Sequence, residues 1–113
     1  MHVFTSPHLI NITERIQIAG KEISKKYFEF LLAECIKKND REELSFFELI
    51  TAVAFLAFSR NKAEWTILEV GLGGRLDSTN VIKSSRLSII TPIAMDHQEF
   101  LGNNIKKIAL EKG

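Results

Sequence analysis

Glu69 closes an apolar run, Trp65-Thr66-Ile67-Leu68-Glu69-Val70, and a glycine-rich string follows it: Gly71-Leu72-Gly73-Gly74-Arg75-Leu76-Asp77-Ser78-Thr79-Asn80. Ile67, Leu68 and Val70 show no polar alternation, so the run reads as a strand buried on both faces, as in a parallel sheet. In open parallel sheets, ligands bind beyond the carboxyl ends of the strands. A carboxylate there suits a hard cation such as Mg²⁺, which takes oxygen ligands. Gly71, Gly73 and Gly74 permit a sharp turn and a close backbone approach. They do not complete a dinucleotide fingerprint, because Leu76 stands where the third spaced glycine belongs, and no Gly-Lys-Ser/Thr follows to make a Walker A loop. On these residues alone, a ligand-facing turn and a plain tight turn both stay open.

Three further positions carry chemistry. Ser6 precedes Pro7, which removes an amide hydrogen and holds Ser6 extended, so its hydroxyl sits at the end of the short apolar stretch Val3-Phe4. A turn-forming or capping serine fits the same pattern. Asp96 and His97 follow a second strand candidate, Leu87-Ser88-Ile89-Ile90-Thr91, and reach the Glu69 crevice if the two strands are parallel neighbours. Beside Glu69, His97 becomes a metal candidate. Lys112 shares the apolar face of a last helix with Ile105, Ile108 and Ala109. A lysine aimed inward is costly unless paired or modified, and snorkelling from the last turn is the plainer reading. His8 reads as a loop histidine.

The elements that must position these residues are legible in part. Ile10 to Ile18 alternates loosely and ends in Ala19-Gly20-Lys21, a small hairpin or an irregular loop. Glu14-Arg15 within it is a solvated charge pair or a shaper of the neighbouring loop. Ser24 caps a helix running to about Asn39, with Phe28, Leu31, Leu32, Cys35 and Ile36 as its apolar stripe. Ser45-Phe46-Phe47-Glu48 matches a capping box. The helix it opens runs to about Asn61 and is apolar nearly all round, so it expects cover on most sides or drives self-association. Asn103 or Asn104 opens the last helix.

At 113 residues the chain is one small domain at most. A net charge of +1 points to neither nucleic acid nor an acidic membrane surface. No run is long enough to span a membrane, and no signal peptide is expected at the start. Cys35, alone, reads as a small core residue in a reducing, cytoplasmic setting.

Residues 68–80 closely resemble the signature of the folylpolyglutamate synthase / dihydrofolate synthase family, a branch of the Mur ligases. Phe4-Thr5-Ser6-Pro7-His8-Leu9, Glu14-Arg15-Ile16, Asp96-His97 with Leu101-Gly102, and Glu111-Lys112-Gly113 agree in order and content. The resemblance implies an α/β fold over residues 1–113: a partial parallel sheet of the P-loop-type central domain of a Mur ligase, lacking its first strand and phosphate loop. It implies an ATP- and Mg²⁺-dependent ligase joining L-glutamate to folate or dihydropteroate, with ATP as substrate. Carried over residue by residue, Ser6, Glu69 and His97 would be metal ligands and Lys112 a carbamylated lysine. Phe46, Phe47, Glu48, Leu76, Asp77 and Ser78 would face the pterin or folate. In the family a phosphate-cradling loop lies upstream of the Thr5–Leu9 match and a C-terminal domain follows; both are expected to be absent from the 113 residues, which alone are therefore expected not to catalyse ligation. Another Mur-type amide ligase is the alternative enzyme. A non-catalytic remnant, or a subunit completed by a second chain, is the alternative outside catalysis.

Overall fold

The computed structural model describes residues 1–40, 42–95, 101–102 and 104–113. They fall into two compact units, Met1–Glu69 and Val70–Gly113.

The first unit is a mixed sheet with two helices. β1 (His2–Phe4), β2 (Ile16–Ile18), β3 (Lys21–Glu22) and β4 (Thr66–Leu68) lie in the order β3-β2-β1-β4. β1 pairs antiparallel with β2 and parallel with β4, in the register His2 to Thr66 and Phe4 to Leu68. Ala19 and Gly20 both take positive φ, 51° and 82°, between β2 and β3. Two such residues in a row make the turn whose twist suits a two-residue hairpin. The hairpin is thus present, preceded by a 3-10 turn, Ile12–Arg15.

α1 (Lys25–Asn39) starts where Ser24 accepts the Tyr27 N–H, and α2 (Phe46–Arg60) starts at the expected capping box. Phe28 and Leu31 of α1 meet Ile50, Val53, Ala54 and Ala57 of α2 with Phe4, Ile16 and Ile23 in one core. Leu32 and Cys35 pack against it, and burial pushes the Cys35 thiol up. The stripe frays at Ile36, which is exposed. His2 is buried beneath α2, stacked on Phe58 with ring centroids 4.8 Å apart. Its Nδ1 accepts the Ala19 N–H, so Nε2 carries the hydrogen it donates to the Asn61 carbonyl.

Two strand expectations need correction. β4 is not buried on both faces: Thr66 and Ile67 are exposed, and only Leu68 touches the core. Among the described residues β4 has a ladder partner, β1, on one side only, so its apolar composition is not matched by cover. Leu87–Thr91 forms no strand; it is exposed chain, with Ile89 80% accessible. No ladder partner meets it among the described residues, and β-propensity without one does not make a strand.

Among the described residues the second unit holds a string of turns, residues 71–82, and a C-terminal helix, α3 (Ile105–Lys112), capped by the Asn104 side chain on the Lys106 N–H. Ile108 is fully buried. Ile105, expected on the same face, is half exposed, and Lys112 is exposed rather than aimed inward.

Candidate functional site

The carboxyl ends of the parallel pair bring Ser6 and Glu69 together. The ladder continues one residue past β4, where the Glu69 N–H donates to the Phe4 carbonyl at 2.9 Å. The chain beyond β1 then turns so that the Ser6 N–H donates to Glu69 Oε2, also at 2.9 Å. The Ser6–Pro7 peptide bond is cis. A carboxylate and a hydroxyl at one strand end are oxygen donors of the kind Mg²⁺ and Mn²⁺ accept, so the donor set fits such an ion. Among the described residues no three His, Cys, Asp or Glu side chains are gathered as a metal site. Asp96 and His97 lie outside the described residues.

The loop after Ser6 is closed by Glu14. Its Oε2 accepts the Leu9 N–H at 2.9 Å, and its Oε1 accepts those of Ile10 and Asn11 at 3.0 and 2.7 Å. The backbone N–H of Asn11, then that of Leu9, holds this carboxyl below the usual carboxylate range. Arg15 is buried and donates from Nε to His8 Nδ1 at 2.9 Å. Its guanidinium lies over the Phe46 ring, 5.5 Å from the centroid.

The three residues at the start of α2 have separate settings. Phe46 is 56% exposed beneath Arg15. Phe47 is half-buried and meets Phe4 of the core with centroids 5.9 Å apart. Glu48 turns back to the Ser45 N–H at 2.7 Å, which also lowers its pKa. That capping contact accounts for Glu48 locally.

In the second unit the glycine string approaches protein, not open space. A Cβ on Gly74 would stand 2.6 Å from the Glu111 carbonyl oxygen and 3.1 Å from Lys112 Cα. The next residue, Arg75, donates its N–H to that same carbonyl at 2.7 Å and its Nη2 to Glu111 Oε1 at 3.0 Å. The end of α3 is therefore seated on the glycine turn, main chain against main chain. Asp77 is turned inward too. Its Oδ2 accepts the Gly71 and Leu72 N–H groups, and its Oδ1 accepts the Thr79 N–H and hydroxyl. Leu76 is 81% exposed and Ser78 half-buried.

Sequence reasoning missed the Arg15–His8–Phe46 cluster, the Arg75–Glu111 pair and the Asp77 contacts. Two signals were available. Asn11-x-x-Glu14 has capping-box spacing. Asp77-Ser78-Thr79 places an Asx side chain two residues before a backbone N–H, as in an Asx turn.

No protein-family model matches the chain. Individual relatives do. The dihydrofolate synthase/folylpolyglutamate synthase of Buchnera aphidicola is 47% identical over 112 residues, 97% of this chain and 26% of the relative. The chain is homologous to the folylpolyglutamate/dihydrofolate synthases. The dihydrofolate synthetase of Saccharomyces cerevisiae is 41% identical over 113 residues, 96% of this chain and 26% of the synthetase. E. coli FolC, solved with DHPP and ADP, superposes with a TM-score of 0.92 at 37% identity, covering 98% of this chain and 27% of FolC. The Yersinia pestis bifunctional synthase, complexed with AMPPNP and Mn ion, gives 0.89 at 40% identity over the same shares. The chain thus spans about a quarter of the length of most of these synthases. The α/β fold with parallel strands is theirs.

Proposed function

We propose that this chain supplies the metal-side and pterin-side segment of an ATP- and Mg²⁺-dependent ligase that adds L-glutamate to folate or dihydropteroate. The observation that carries the reading is the Ser6–Glu69 contact at the end of β1 and β4, formed by two of the stretches that resemble the family. Solved relatives bind ADP with DHPP, and Mn with AMPPNP and L-glutamate, which supports the substrates and a divalent ion.

Ser6 and Glu69 would hold the ion; His97 as a third ligand and Lys112 as a carbamylated lysine rest on the resemblance. When bound, the ion neutralises charge during phosphoryl transfer. The γ-phosphoryl group passes from ATP to the substrate carboxylate, releasing ADP. The glutamate amine then attacks the acyl phosphate, forming the amide and releasing phosphate. Phe46, 56% exposed with the Arg15 guanidinium over its ring, is the aromatic candidate for contact with a pterin. Phe47, Glu48, Leu76, Asp77 and Ser78 as substrate-facing residues rest on the resemblance.

A cytoplasmic setting belongs to this reading as what the resemblance implies. No helix among the described residues is long and apolar enough to cross a membrane. Self-association through α2 has less surface to act through than its composition suggests, because Ile50, Val53, Ala54 and Ala57 turn inward. Ligation draws on more chain than these 113 residues, so alone they release no ADP.

The test is a chimera with residues 1–113 in place of the matching segment of E. coli FolC. Folate- and glutamate-dependent ADP release is expected. Replacing Glu69→Gln within it lowers release by at least about a hundredfold. A folded but inert chimera overturns the ligase reading, and unchanged release in the Glu69→Gln chimera overturns the metal role.

A further inference from the structure

The loop that carries Ser6 has almost no apolar anchor. Leu9 is 93% exposed and Ile10 83%. A segment so exposed opens at little cost unless its backbone is tied. Glu14 supplies the tie, since three consecutive N–H groups, from Leu9 to Asn11, converge on its two oxygens. A capping box accounts for the Asn11 bond alone, because Leu9 and Ile10 precede the cap. Successive N–H groups turned toward one anion make a nest. Here the anion belongs to the chain itself.

We propose that Glu14 is a positioning residue: by gathering the Leu9, Ile10 and Asn11 N–H groups it fixes the loop that keeps the Ser6 N–H on Glu69 and His8 on Arg15. Ser6 and Arg15 flank the tied segment. The Thr5 N–H donates to the Arg15 carbonyl at 2.9 Å, which closes the loop at its base. With base and tip both fixed, His8 is brought to Arg15 Nε, and Arg15 to the Phe46 ring. Two cationic or titratable groups are near. His8 lies close enough to favour the charged carboxylate, and Arg15 follows Glu14 in sequence with its guanidinium turned to His8 and Phe46. Only a carboxylate of this length serves. Glutamine would turn an NH₂ toward N–H donors, and aspartate is one methylene short. The inference borrows from the proposed function only the importance of Ser6 and Glu69; the loop geometry stands without it.

The experiment is NMR on the 113-residue chain, wild type against Glu14→Gln and Glu14→Asp. In Glu14→Gln, exchange of the Leu9, Ile10 and Asn11 amides rises on the order of tenfold or more. The Ser6 amide and the Arg15 Nε–H lose their hydrogen-bonded shifts. Amides of α1 and α2 stay as they were, which a general loss of stability would not allow. Glu14→Asp falls between the two. If either variant fails to fold, acid titration of the wild type decides. The three amides then move together, with a midpoint below the ordinary carboxylate range. Unchanged Ser6 and Arg15 signals in Glu14→Gln overturn the proposal, as do three amides that titrate apart or within the ordinary range. A Mn²⁺ titration of the wild type, read alongside, separates the two ideas. Absence of binding counts against the metal role and leaves the loop result untouched.

Discussion

The loop at Ser6–Arg15 and the turn at Gly71–Thr79 are each held by one inward-facing carboxylate, Glu14 in the first and Asp77 in the second. What lies beneath them differs. The Glu14 loop joins the two inner strands of the sheet, β1 and β2, which contribute to a nine-residue apolar core. The Asp77 turn stands on the end of one eight-residue helix with a single fully buried side chain, Ile108, and its seat is main-chain contact. In the first region apolar burial supplies stability and polar contacts supply shape. In the second, the contacts among the described residues are largely polar and main-chain.

That contrast can be broken at its strongest point first. Leu31→Ala removes a fully buried side chain from the core of the first unit. It should destabilise that unit by about 2–5 kcal/mol, read as a lower denaturant midpoint for the α1 and α2 signals. A cost under about 1 kcal/mol would mean the core is not what holds the unit.

Gly74→Ala probes the second region, where the added methyl would meet the Glu111 carbonyl at 2.6 Å. Backbone atoms must give way, at a cost of about 1–3 kcal/mol. Faster amide exchange along residues 106–112 is expected, while α1 and α2 amides keep their rates. Unchanged exchange in α3 would show that the glycine turn is not its seat.

The smallest effect is expected at the exposed clasp between α1 and α2, where Arg60 donates two bonds to Glu34, each 2.7 Å. The Arg60 hydrogen bonds hold the Glu34 carboxyl below its ordinary value. A carboxyl lowered by folding stabilises above its unfolded pKa, and that contribution fades as pH falls through the lowered value. Arg60→Gln should therefore flatten a shallow acid limb in the pH–stability curve and leave the neutral midpoint nearly unmoved. An acid limb identical in the variant would remove Glu34 from the account.

The same contrast explains what could be read from the chain beforehand. α1 and α2 were legible because Ser24, Ser45 and Glu48 are local signals and the apolar stripe has a helical period. The strand-end pattern put Ser6 and Glu69 each at the end of a strand, and only the family resemblance implied that they meet. β4 and Leu87–Thr91 were misread because burial depends on neighbours that composition does not name. Thr66 and Ile67 lie exposed although their run is apolar. The glycine string was ambiguous for a different reason. Gly74 does answer to a close approach, but the approaching atoms are the Glu111 carbonyl and Lys112 Cα, thirty-seven and thirty-eight positions away. The four contacts of Asp77 were not legible because its partners are backbone and hydroxyl groups, which a residue pattern does not display.

The seating of α3 on Gly74 and Arg75 has a consequence for how variation would be tolerated. The helix end is gripped through a bare Cα, a carbonyl and the side chains of Arg75 and Glu111, while the side chain of Lys112 stays exposed. Position 74 should accept no substitution and position 111 few. Position 112 should accept nearly any residue as far as folding is concerned. A preference for lysine there, in a library sorted for function after being sorted for folding, would be a record of chemistry alone.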